Sequence, residues 1–131
     1  MHRFWTAIER VPAYWRWIIW LVYLSAWTFA LEMPKPPLPT EILGDPATQR
    51  LILLVFAKFV HVSAYAVLAI LTGWLRPVSL RWYLAGFLVL HAALTEYLQF
   101  LLPFGRTGSA RDVALDLLGI ALGIAISWRR S

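Results

Sequence analysis

A short polar series interrupts one of the longest apolar stretches of the sequence. Lys58, His61 and Tyr65 are spaced i, i+3 and i+7, so a helix would carry all three on one face. A charge near the centre of a membrane helix costs about 2.5 to 3.5 kcal/mol on insertion scales. Such residues therefore mark either a functional site or an ion pair between helices. The lysine can contact an anion, and the histidine can transfer protons near neutral pH.

Two later apolar stretches contain acidic residues that are possible partners for Lys58. Glu96 precedes Gln99 by three residues, and Asp116 follows Asp112 by one helical turn. At about 1.5 Å per helical residue, Lys58, Glu96 and Asp116 all lie roughly 9 to 10 Å below the outer ends of their stretches. One shared cavity costs less than three separately buried charges, so we expect a common polar layer. An ion pair of Lys58 with Glu96 or Asp116 that only fixes packing is the structural alternative.

The loop before the last apolar stretch is predicted to lie directly above this layer. Arg106 and Thr107 lie between Gly105 and Gly108. A helix N-terminus beside them would be an anion site, with amide donors and a partial positive charge. Ser109 resembles the first residue of a capping box that Asp112 would complete, which would occupy one donor.

The polar residues are predicted to divide between two roles. The expected anion ligands are Arg106, Lys58, Thr107 and Ser109. The candidate acid–base groups are Glu96, Asp112 and His61, with Tyr65, Gln99 and Asp116 in support.

The elements that must position these residues are apolar helices. Apolar residues make up 60% of the 131 residues. A domain of this size has too little interior to bury so much apolar surface, so lipid is the expected solvent. Four stretches have about the 20 residues that a spanning helix needs: 14–33, 51–75, 82–102 and 110–128. The sequence predicts one all-α domain, residues 1–131, that forms a membrane bundle of four transmembrane helices.

The distribution of positive charge predicts that both termini are cytoplasmic, and tryptophans at the span ends support the count of four spans. In this orientation the inner side holds seven basic side chains: Arg3, Arg10, Arg16, Arg76, Arg81, Arg129 and Arg130. The outer side holds four: Lys35, Arg50, Arg106 and Arg111. The tryptophans at predicted inner ends are Trp15, Trp17, Trp74, Trp82 and Trp128.

Two flanking segments complete the predicted layout. Residues 3–11 place their apolar side chains on one helical stripe, which predicts a short interfacial helix. Residues 34–50 contain five of the eight prolines and are expected to form an extended outer loop. The first apolar stretch ends in Trp27, Phe29 and Leu31 without a small-residue cleavage site, so we favour a retained span over a signal peptide.

Several other sites are not expected. The basic residues never form a run, so the net charge of +5 does not predict nucleic-acid binding. His61 and His91 are too sparse a signal for a metal site, and no cofactor motif is recognisable. His91 lies roughly 140° around its helix from Glu96 and is expected to pack elsewhere. Gly119 and Gly123 form a GxxxG pattern, which is typical of close helix packing.

Taken in order, these motifs resemble the VanZ-like family of small integral membrane proteins. The matching blocks are Lys58-x-x-His61-x-x-x-Tyr65, Glu96-x-x-Gln99, Pro103-x-Gly105-Arg106-Thr107-x-Ser109-x-x-Asp112 and Asp116-x-x-Gly119-x-x-x-Gly123, within residues 56–123. Two positions depart from the family pattern. Ala57 stands where an acidic residue is frequent, and Asp116 stands where asparagine is usual.

The resemblance implies a protein of the bacterial cytoplasmic membrane that acts near the outer leaflet, on anionic envelope lipids or lipid-bearing antibiotics. Three functions remain open. The first is a site that binds or processes an anionic lipid headgroup. The second is a non-catalytic accessory subunit that packs beside other integral membrane proteins. The third is a small proton-coupled transporter, because a membrane carboxylate beside His61 can relay protons. No nucleophile motif is present, so the sequence does not decide whether a reaction is catalysed.

Overall fold

Four α-helices follow one another in the computed structural model, which describes residues 10–33, 45–75, 77–102 and 108–128. They are α1 (Ala13–Glu32), α2 (Pro46–Trp74), α3 (Arg81–Leu101) and α4 (Ala110–Ser127). A 3-10 turn, Val78–Leu80, precedes α3. Each helix coincides with one predicted apolar stretch, so the prediction of an all-α chain with four helices is confirmed. The predicted interfacial helix lies almost wholly outside the described residues.

The start of α2 differs from the predicted layout. The helix begins at Pro46, inside the segment 34–50 that was predicted to be a loop. The Asp45 carboxylate accepts hydrogen bonds from the amides of Ala47 and Thr48, and proline suits the first helical position. The Thr48 hydroxyl and these two amides lower the pKa of Asp45, because they stabilise its charged form. The remainder of the predicted loop, residues 34–44, lies outside the described residues.

Two segments of the described chain have the length and hydropathy of membrane spans. They are α2, with a mean hydropathy of 2.1, and Val78–Leu101, with 1.4. Within the described residues, 32 large apolar side chains are exposed and 11 apolar residues are buried. Such a surface is stable in lipid and aggregates in water. The described part of the chain therefore has the features of an integral membrane protein.

The helices alternate in direction, and α2 runs parallel to α4 at very close range. A Cβ atom added to Gly119 would overlap the carbonyl oxygen of Val62, and one added to Gly123 would overlap that of Ala66. Only glycine allows the two backbones to approach this closely. The close approach aligns successive turns of α2 and α4, and this alignment brings their polar side chains together.

Arginine and tryptophan side chains gather at the end of the bundle where α1 and α3 begin. Arg16 donates to the carbonyl of Trp74 and lies 5.5 Å from the centre of its ring. The rings of Trp82 and Trp128 meet edge to face at 4.5 Å. The aromatic residues predicted for one membrane boundary thus share one end of the bundle, opposite the charged residues of α2 and α4.

Candidate functional site

A histidine–carboxylate pair joins α2 to α4 inside the bundle. His61 Nδ1 lies 3.0 Å from Asp116 Oδ1, and the Asp116 side chain is fully buried. Asp116 Oδ2 makes no hydrogen bond within the described residues. His61 Nε2 also has no hydrogen-bond partner among them. This arrangement orients the imidazole through one nitrogen and leaves the other available to accept a proton.

Glu96 of α3 lies beside this pair and also forms a hydrogen bond with the backbone at the start of α4. The Glu96 side chain is only 4% exposed, and its Oε2 accepts the backbone N–H of Ser109 at 2.9 Å. A Cβ on Gly108 would overlap the Glu96 carbonyl, so the chain before α4 passes tightly over this turn. One ligand-type atom each from His61, Glu96 and Asp116 lies within 4.8 Å of the other two.

The capping of α4 explains why Asp112 is available to another residue. Ser109 is the N-cap, and its hydroxyl accepts the N–H of Arg111 at 3.1 Å. In a capping box, Asp112 would accept the N–H of Ser109 in return. Glu96 takes that N–H instead, and the Ser109 hydroxyl caps Arg111 and not Asp112, so the predicted capping box does not form. The Asp112 carboxylate turns to α2, where its Oδ1 lies 3.3 Å from Lys58 Nζ.

The ion pair of Lys58 therefore differs from the two alternatives that the sequence suggested. Its partner is Asp112, not Glu96 or Asp116. Lys58 and Asp112 are partly exposed, at 46% and 27% of their side chains, so their pair lies at the rim of the buried group. The expected polar layer divides into a rim pair and a buried cluster. We call His61, Glu96 and Asp116 the buried cluster.

A second polar chain continues from Tyr65, one turn along α2 from His61. The Tyr65 hydroxyl lies 3.0 Å from His91 Nδ1, and His91 Nε2 lies 2.8 Å from Thr28 Oγ1. Thr28 donates its only hydroxyl proton to the Leu24 carbonyl, so it accepts from His91 Nε2. In the neutral tautomer with the proton on Nε2, His91 Nδ1 accepts the hydroxyl proton of Tyr65. This chain of hydrogen bonds ends at the Leu24 carbonyl.

His91, Thr28 and Trp27 are the neighbours that sequence reasoning missed. His91 was expected to face away from Glu96, and the partners that it contacts are Tyr65 on α2 and Thr28 on α1. Trp27 packs edge to face on the rings of both His61 and Tyr65. The signal available in the sequence was weak, because it consisted of one histidine in α3 and two residues without charge in α1.

The remaining predicted residues are distributed as follows. Gln99 lies one turn beyond Glu96, but its amide donates to the Leu31 carbonyl of α1. The predicted anion ligands Arg106 and Thr107 lie outside the described residues. The buried cluster is held by α2, α3 and α4 together, and Trp27 of α1 packs against the ring of His61. This arrangement can bind a cation, hold a proton, or orient a proton acceptor.

Comparison with known proteins gives the family of the chain. The model of the VanZ/LLP1 family matches residues 6–130, which is almost the whole sequence. The chain belongs to the VanZ/LLP1 family. The resemblance that the sequence motifs indicated is thereby confirmed, and this VanZ/LLP1 protein carries its buried cluster inside the matched region. No curated protein and no solved structure matches it.

Proposed function

We propose that this VanZ/LLP1 protein is a four-span membrane protein that binds an anionic lipid headgroup beside its buried cluster. The observation that carries the proposal is the bond between the Ser109 amide and Glu96, which holds the start of α4, three residues after Arg106, against the buried cluster. Arg106 and Thr107 belong to the loop that leads into α4, and Ser109 of that loop is bound to Glu96. In the proposal, Arg106 contacts the anion, and the cluster holds or transfers a proton beside it.

The proposed orientation places both termini in the cytoplasm of a bacterial cell and the buried cluster near the outer leaflet. Arg16 and Arg81 lie at the bundle end that also holds Trp74, Trp82 and Trp128. Arginine accumulates on the cytoplasmic side of membrane proteins, and tryptophan lies at the membrane boundaries. In this proposal α1 and α4 cross the membrane as well, because their exposed apolar side chains require lipid.

The ion pair of Lys58 limits its part in anion binding. Asp112 already neutralises the lysine, so Lys58 can contact a phosphate only if that pair is shared or broken. The proposal therefore gives Arg106 the larger share of the binding energy. An arginine also binds phosphate through two parallel hydrogen bonds, which a lysine cannot do.

We expect Arg106→Ala to weaken binding of phosphatidic acid by about tenfold or more, because a hydrogen bond to a charged group contributes about 1.5 to 3 kcal/mol. Binding is measured with the protein in phosphatidylcholine nanodiscs and a short-chain phosphatidic acid as the probe. Arg50→Ala is the matched control, because Arg50 is exposed in the first turns of α2. Wild-type affinity in Arg106→Ala, with normal folding, would refute the proposal.

The same preparation separates lipid binding from an accessory role. If the protein is a non-catalytic subunit, mild extraction will recover a stoichiometric protein partner and phosphatidic acid will bind no better than phosphatidylcholine. The proton-transporter alternative gains no support from the Tyr65 chain, which ends at the carbonyl of Leu24. Lipid headgroups are the partner that the proposal requires.

A further inference from the structure

We propose that His61, Glu96 and Asp116 bind a divalent transition-metal ion, with Zn²⁺ the best match. One nitrogen or oxygen atom from each residue lies within 4.8 Å of the other two. The three residues come from α2, α3 and α4, so no local sequence spacing could have revealed the site. The inference does not rest on the proposed lipid function, since metal binding is measured without any phosphate ligand.

The position that the geometry allows for the ion lies between His61 Nδ1 and the Asp116 carboxylate. His61 Nδ1 lies 3.0 Å from Asp116 Oδ1, close to the separation of about 3.3 Å that two ligands of one tetrahedral Zn²⁺ have, so the ion would replace the proton between these atoms. Glu96 Oε2 accepts the amide of Ser109, which orients the carboxylate toward the same position. His61 Nε2 points away from Asp116 and is not part of this ligand set.

Asp116 provides the independent observation that points to a ligand. Its side chain is fully buried, and Oδ2 is a buried acceptor without a donor in the described residues. A buried polar group without a partner costs about 1 to 3 kcal/mol, and a charged group costs more. A metal ion at this position would satisfy the oxygen and remove that cost.

The charge of the cluster favours a divalent cation. The net charge of two carboxylates and one histidine is −2 when the imidazole is neutral and −1 when it is protonated. Both carboxylates are almost completely buried. The nearest lysine described, Lys58, is already paired with Asp112. An ion of charge +2 bound to a neutral histidine and two carboxylates gives a neutral group, which is the cheapest state in an apolar surrounding.

The donor set indicates the kind of metal. Imidazole nitrogen suits Zn²⁺ and its neighbours, whereas Mg²⁺ and Ca²⁺ prefer an all-oxygen set. Three protein ligands leave a fourth position open, as in catalytic zinc sites. Zn²⁺ takes nitrogen and oxygen ligands at about 2.0 to 2.2 Å, so the ligand atoms must approach one another by roughly 1 Å on binding. Rotation of the carboxylates can supply this movement.

The test is Zn²⁺ binding by the full chain in phosphatidylcholine nanodiscs, purified without a polyhistidine tag and stripped with a chelator. Zinc content is measured after dialysis, and affinity is measured by competition with a chromophoric chelator. We expect one Zn²⁺ per chain. Asp116→Asn and Glu96→Gln, which preserve side-chain size, should each weaken affinity by about tenfold or more, because loss of even an outer partner costs about 10- to 100-fold.

Asp45→Asn is the control, since asparagine caps a helix as well as aspartate and Asp45 lies outside the cluster. Co²⁺ substitution adds a spectroscopic readout of imidazole and carboxylate ligation that folding alone would not produce. Weaker binding in both cluster variants with an unchanged control supports the site. Equal zinc in the wild type and in the Asp116→Asn, Glu96→Gln double variant would overturn it, as would an equal loss in the control.

Discussion

Gly119→Val is expected to prevent α2 and α4 from packing and to lower the free energy of unfolding by about 3 kcal/mol. Even a Cβ at this position would overlap the backbone carbonyl of Val62, and a backbone cannot rotate away as a side chain can. Overpacked cores typically lose 1 to 3 kcal/mol, and a helix–helix contact through glycine lies at the upper end of that range. The measurement is reversible unfolding in mixed micelles.

Gly86→Val is the matched control for this prediction. Gly86 lies in α3, and a Cβ there would meet nothing within 4 Å. The same substitution should therefore leave stability almost unchanged, because valine replaces glycine on an open helical surface. If Gly86→Val and Gly119→Val lose equal stability, the close contact between α2 and α4 is not the one described.

The second large effect is expected at the His61–Asp116 pair. Asp116→Leu should lower the free energy of unfolding by about 3 kcal/mol, because it leaves an imidazole that is only 13% exposed without its partner. His61→Phe should have a similar effect on the carboxylate, while keeping the aromatic contact with Trp27. The free energy of unfolding of the double variant should fall by at least about 2 kcal/mol less than the sum of the two single-variant losses. The reason is that neither member of the pair is left without its partner.

The Lys58–Asp112 rim pair provides the internal comparison for this double-mutant cycle. Lys58 and Asp112 join the same two helices but are partly exposed, so their coupling should be below about 1 kcal/mol. Unfolding of the four single variants and two double variants gives both coupling energies. A coupling at the rim equal to that of the buried pair would contradict the division into rim pair and buried cluster.

The helices could be predicted from the sequence because each apolar stretch has the length that a bilayer requires. Their alternating directions are expected of consecutive helices that each cross a bilayer. Gly119 and Gly123 also carried a local signal, because small residues four apart favour close helix contact. The partner of Lys58 could not be predicted in the same way. Counting residues gives the depth of a side chain along its helix, but it does not give the rotation of that helix against its neighbours.

The role of Asp112 shows the same limit at the scale of one helix turn. Local sequence rules assign Asp112 to a capping box with Ser109. Glu96, which is distant in the sequence, takes the amide that the box requires. A tertiary contact thus overrides a local preference and releases the aspartate for Lys58. The partners of His91 were not predicted for a related reason, because Tyr65 and Thr28 come from two other helices.

The most direct test of the central claim is disulfide cross-linking of His61→Cys with Asp116→Cys in native membranes. The chain has no cysteine of its own, so the introduced pair is the only one that can react. After mild oxidation, we expect a disulfide to protect both thiols from a maleimide mass tag. A reductant should break the disulfide and restore tagging. Phe59→Cys with Asp116→Cys should remain fully tagged, because Phe59 is 68% exposed on another face of α2. Tagging of the His61 pair, or protection of the Phe59 pair, would contradict the buried cluster.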